Sequence, residues 1–119
     1  MNELTRLLSV VADSTRLRLL RLIYQQDLCV CELMDAVQLP QYQVSRHLRE
    51  LRRVGLVEAT RSGRWMHYRI SSVAVRSSMH QELLKFLDTH SQSLPEAKRD
   101  DGRLARRLAG GRADRYSCG

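Results

Sequence analysis

The chain has 119 residues, 20 Lys and Arg against 13 Asp and Glu, a formal net charge of +7 and 43% hydrophobic residues. That is enough for one domain with its own core, or one finished by a symmetric partner, and the basic balance favours a polyanion. No apolar run is long enough to span a bilayer, and the polar start after Met1 does not read as a signal peptide. A cytoplasmic protein without membrane contact is expected, its three cysteines serving as ligands or redox groups rather than disulfides.

Leu4, Leu7, Leu8 and Val11 recur at helical spacing and predict a first helix ending near Ala12. Asp13 or Ser14 can cap a second, which carries Leu17, Leu20 and Ile23 on one side, Arg16, Arg18 and Arg21 on others, and stops near Gln26. A short third helix is expected over about residues 30–37, broken by Leu39-Pro40 because proline forces its predecessor out of helical geometry. The fourth covers about residues 41–54, with Val44, Leu48 and Leu51 inward, and Gly55 stops it in the left-handed region.

The period then changes from helical to alternating. Residues 56–60 and 65–70 read as strands joined by the turn Arg61-Ser62-Gly63-Arg64. A final helix begins after Ser71-Ser72 and reaches roughly Leu87 or Leu94, with Val75, Met79, Leu83, Phe86 and Leu87 as its apolar stripe. From Pro95 the many arginines alternate with Asp, Gly and Ala, which predicts a flexible basic tail over residues 95–119 with at most a turn near Arg103 to Leu108. This order is α+β and mainly helical: a winged helix-turn-helix over residues 1–94, with four helices, a β-hairpin wing and a C-terminal helix.

A helix in a major groove needs polar side chains near its start and cations that reach phosphates. Gln41, Gln43, Ser45, Arg46 and His47 stand where base edges would be met, and Gln can bond adenine twice. Arg49 and Arg53 continue the positive face, and Tyr42 can stack on a sugar or pack a thymine methyl. Arg61 and Arg64 flank a Gly turn suited to a minor groove or backbone. One such motif is small for tight binding to double-stranded operator DNA. Leu4, Leu7, Leu8 and Val11, with Met79, Leu83, Phe86 and Leu87, are therefore assigned to a homodimer seam. The dimer would span half-sites about 34–36 Å apart. The plainer alternatives are a solvated basic helix, and stripes that are pure core.

Cys29 and Cys31 straddle Val30 at the mouth of the third helix, where a helix N-terminus favours thiolate while Asp27 and Glu32 oppose it. Residues two apart on a helix point roughly 200° from each other. If both are helical, one ion joins both sulfurs only by unwinding that turn, a natural trigger for the helix beyond.

The strings CVCEL, LPQYQVSRHLRELRRVGLV and GRWMHYRI, with ADSTRLRLL before them, resemble the arsenic-responsive branch of the ArsR/SmtB repressors over about residues 4–87. The resemblance implies a homodimeric repressor that leaves its operator when As(III) or Sb(III), the inducer, binds cysteines; no cofactor is implied for folding. Cys29 and Cys31 take the role of the principal ligands. Many members have a third cysteine where this chain has Met34, which makes Cys118 a candidate third ligand. Asp88-x-His90 matches half of the pattern of the family's zinc sensors, and with His80 these read as surface residues.

A redox or reactive-sulfur sensing repressor of the same fold is the alternative within regulators. A thiol oxidoreductase would carry Cys-x-x-Cys in a βαβ unit, which the chain lacks, so no enzyme is expected. A constitutive DNA-binding protein is the remaining reading.

Overall fold

The computed structural model describes residues 2–110. Asn2 opens α1 (Glu3–Val11) by accepting from the Thr5 N–H at 2.9 Å, and Asp13 opens α2 (Ser14–Gln25) by accepting from Arg16 N–H at 3.0 Å. A two-residue strand, β1 (Leu28–Cys29), precedes α3 (Val30–Val37). That helix ends on Gln38 at φ 58, the one non-glycine with positive φ among the described residues, and Pro40 starts α4 (Gln41–Arg53). The α4 end is a Schellman motif. Gly55 N–H reaches Arg52 O at 3.0 Å and Leu56 N–H reaches Leu51 O at 3.1 Å, with Gly55 at φ 79.

The wing is β2 (Val57–Ser62) paired antiparallel with β3 (Trp65–Ile70), turning at Gly63 with φ 64. Arg61 therefore lies in a strand, and the turn proper is Gly63-Arg64. The short β1 adds to the other edge of β3, giving the order β1-β3-β2 with Cys29 opposite His67. The alternation in the sequence could not reveal a two-residue strand.

The expected final helix is two: α5 (Ser72–Arg76), capped by Ser71, and α6 (Ser78–Ser91), capped by Ser77. Ser77 is extended, at φ −95 and ψ 120, so the stripe from Val75 to Leu87 is broken. The expectation of a mobile tail from Pro95 is corrected by α7 (Ala97–Ala109), which packs along α3 and touches α2. Ala97, Asp100 and Leu104 share one buried face, and the carboxylates of α7 meet arginines of α2. Charge there organises the segment instead of dissolving it.

The core joins α2, α3, α4 and the sheet through Leu22, Leu28, Leu33, Leu48, Leu51 and Leu56. Leu7 and Val11 belong to this core at 1% and 6% exposure, so they cannot line a seam between protomers. Leu4, Leu8 and Phe86 remain exposed, while Met79, Leu83 and Leu87 are half-buried against the core. His80, expected at the surface, is buried: its ring nitrogens meet Ser77 Oγ at 2.8 Å and Val54 O at 3.2 Å. It bridges α6 to the end of α4. Among the described residues no helix is long and apolar enough to cross a membrane.

Candidate nucleic-acid interface and thiol site

The amphipathic pattern of α4 buries Val44, Leu48 and Leu51 and turns Gln41, Tyr42, Arg46, Arg49 and Arg53 outward, with Gln43 and Ser45 half-buried. Tyr42 is 68% exposed, and its hydroxyl accepts from the Gln43 side-chain amide at 3.1 Å. Arg53 leans on Glu50 at 2.7 Å. Arg61 and Arg64 are exposed on the hairpin, and the Arg64 guanidinium sits 6.0 Å from the Trp65 ring centroid, the outer limit of a cation–π contact.

His47 departs from the expected reading face. It is buried, and its Nδ1 accepts from Arg16 Nε at 3.1 Å, while Arg16 Nη1 donates to Val10 O at 3.2 Å. Burial lowers the His47 pKa; nearby Asp13 opposes that shift. His47 thus ties α4 to α2 and, through Arg16, to the end of α1.

Cys29 is the N-cap residue of α3, extended at φ −86 and ψ 165, while Cys31 is within the helix and half-buried. The premise of two helical thiols pointing roughly 200° apart is therefore not met, because the cap residue lies outside the helical spiral. Cys29 is 1% exposed. Its N–H donates to Glu32 Oε1 at 2.9 Å, and its sulfur accepts from the Glu32 N–H, so the two residues form a reciprocal cap. Burial pushes the Cys29 thiol up, the N–H bond from Glu32 pulls it partly back, and the Glu32 charge pushes it up further. The expected lowering by the helix N-terminus is thus overridden by desolvation.

Glu32, expected only as a charge opposing the thiolate, is fully buried and also caps; the signal for that role is Cys-x-x-Glu, the Ser-x-x-Glu capping box with sulfur in place of oxygen. Met34 packs on the core one turn along α3. Cys118 lies outside the described residues. His90 is exposed and its ring lies against Phe86. Among the described residues no group of three or more His, Cys, Asp or Glu is gathered to hold an ion.

Also missed was the ionic network around α7. Arg18 grips Asp100 through Nε and Nη2, each at 2.9 Å, and donates from Nη2 to Val37 O at 2.9 Å. Arg21, 4% exposed, meets Asp101 and Gln92, and Arg107 reaches Asp35. Partners 71 to 82 residues apart leave no local pattern to read.

A groove-sized basic helix, the turn before it and a hairpin with arginines at its tip define a winged helix-turn-helix DNA-binding transcription regulator. A family profile described as "Bacterial regulatory protein, arsR family" matches residues 13–59. The chain is 39% identical over 101 residues to arsenic resistance transcriptional regulator ArsR2 of Pseudomonas putida, covering 81% of this chain and 87% of that protein. It is 35% identical over 91 residues to ArsR1 of the same species, covering 76% of this chain but 64% of that one. Among solved structures, HlyU from Vibrio cholerae superposes with a TM-score of 0.64 at 29% identity, over 73% of this chain and 89% of that one. A homodimeric winged helix-turn-helix DNA-binding domain from Mycobacterium bovis gives 0.62 at 26%, over 77% and 82%. The chain belongs to the arsR family of bacterial regulatory proteins.

Proposed function

We propose that the protein is a homodimeric repressor that holds operator DNA and releases it when As(III) or Sb(III) binds Cys29 and Cys31. The observation that carries this reading is the position of the two cysteines: one caps α3 and the other stands in its first turn. The remainder of α3 leads through Gln38 and Pro40 into α4. The relatives named for arsenic resistance supply the chemistry of the inducer, and the dimeric neighbour supports the pairing.

Soft sulfur donors suit a thiophilic metalloid. To share a ligand with Cys31, the Cys29 sulfur must turn away from the Glu32 N–H and out of its buried setting. That takes the sulfur off the Glu32 N–H and so uncaps α3, a change costing about 1 kcal/mol or more. Leu33, Ala36 and Val37 then shift with the turn that aims α4. Tyr42, Arg46 and Arg49 read or grip DNA, and Arg61 and Arg64 follow the backbone from the wing.

The test is a fluorescence DNA-release titration on wild type, Cys29→Ser, Cys31→Ser and Cys118→Ser, with arsenite, antimonite, a methylarsenical, cadmium, zinc and peroxide. Release by arsenite that is lost in the first two variants supports the reading. Release by peroxide alone, or full metalloid binding without release, sinks it. The Cys118→Ser arm decides whether that residue completes the ligand set.

A further inference from the structure

Arg99, Arg103 and Arg106 recur on α7 at spacings of four and three, so they share one flank of the helix. Its packed face holds Ala97, Asp100 and Leu104 instead. Arg103, Arg106 and Arg107 line an open cleft of about 450 Å³ together with Asp35 and Gln38. Gln38 is the C-cap of α3, and Gln41 opens α4 three residues later, so the cleft adjoins the turn that feeds the reading helix.

Charge does not cancel there. Arg107 faces Asp35, and Arg103 shares Asp100 with Arg18, which already holds that carboxylate by two bonds. Arg99 and Arg106 are exposed and stand outside the ion pairs formed among the described residues. The flank is thus a cationic strip fixed to α2 by the buried Asp100 and to α3 by Arg103 on Ala36 O and Arg107 on Asp35, not a floppy charged run. A fixed strip loses little freedom when it meets a polyanion, and guanidinium suits phosphate oxygens.

We propose that this flank of α7 is a second DNA-backbone contact, with Arg99 and Arg106 holding phosphates beside the groove entered by α4. The proposal rests on the DNA-binding reading of α4 and adds a part of the footprint that α4 and the wing do not supply. Such contacts position the protein without reading bases.

The test measures affinity of the full chain for a mixed-sequence duplex of about 30 base pairs, some three helical turns, between 50 and 200 mM salt. Wild type, Arg99→Gln/Arg106→Gln and Arg99→Lys/Arg106→Lys are compared. The Gln pair should reduce the slope of log affinity against log salt by roughly 1.8 per bound protomer, about 0.9 for each phosphate released, and the Lys pair should restore it. Both positions are exposed, so thermal unfolding should match wild type in each variant. A Gln pair with the wild-type slope, or a Lys pair that fails to restore it, overturns the α7 contact. A flat salt dependence in wild type overturns the DNA reading beneath it, a result distinct from either.

Discussion

Arg16 donates from Nε to Nδ1 of His47 at 3.1 Å, so a cation on α2 holds the neutral form of a histidine on the reading helix. A protonated His47 would present N–H to N–H and break the bond. Its folded pKa lies below the ordinary 6.5, with burial as the chief cause, so the unfolded chain binds more protons at mildly acid pH. The stabilisation is therefore complete above about pH 6.5 and lost as pH falls through the folded value. Facing groups are Asp13 and Arg16 from α2 and its cap, and Arg46 and Glu50 from α4. Thermal unfolding between pH 8 and 5 should fall more steeply for wild type than for His47→Gln, whose amide oxygen can still accept from Arg16. Parallel profiles would refute this.

Arg46 and His47 are neighbours in sequence but differ in exposure. Arg46→Ala should weaken operator binding by roughly 1–3 kcal/mol if it reaches a base edge, with little change in unfolding. His47→Leu should show the reverse order, losing stability first because Arg16 loses its acceptor. Competition binding and urea unfolding on both variants separate them, and equal loss of DNA affinity with intact stability would put His47 back on the reading face.

Asp100 is 1% exposed and fixes Arg18 against Val37 O. Asp100→Ala strands a largely buried guanidinium, and breaking such a pair costs roughly 3–5 kcal/mol. Arg18→Met with Asp100→Leu should recover most of that loss, because apolar side chains of similar volume avoid the desolvation penalty. Urea midpoints would show both effects. A wild-type midpoint for Asp100→Ala would mean that α7 does not brace the domain.

Gly55 at φ 79 has room for a Cβ, since its nearest neighbours would be His80 Nε2 at 3.7 Å and a Val73 methyl at 3.9 Å. Gly55→Ala should still cost about 1–2 kcal/mol, because the penalty is left-handed backbone strain and not a clash. Equilibrium unfolding measures it, and a neutral result would deny the turn its geometry.

Cys29 should be a slow nucleophile. In a chain carrying Cys31→Ser and Cys118→Ser, iodoacetamide labelling should show a pH-rate inflection above that of a free cysteine, near 8.5, since burial disfavours thiolate. Rapid labelling at neutral pH would show that the cap opens readily.

What the amino-acid order determined alone is local. Periodicity, the break at Leu39-Pro40 and the glycines at 55 and 63 set α1 to α4 and the hairpin, because backbone sterics and the burial of one stripe act within a few residues. The thiol spacing and the basic face of α4 were legible for the same reason. Tertiary structure decided what depends on distant partners. Leu7 and Val11 went into the core, and His47 turned to Arg16 instead of toward DNA. Cys29 became a buried cap with a raised pKa, its neighbour across the sheet being His67. The stretch after Leu94 has the composition of a loose tail, yet it folds because Arg18 and Arg21 offer charge that Asp100 and Asp101 can neutralise. A charge's effect depends on what stands opposite it, and that is fixed only when the chain closes on itself.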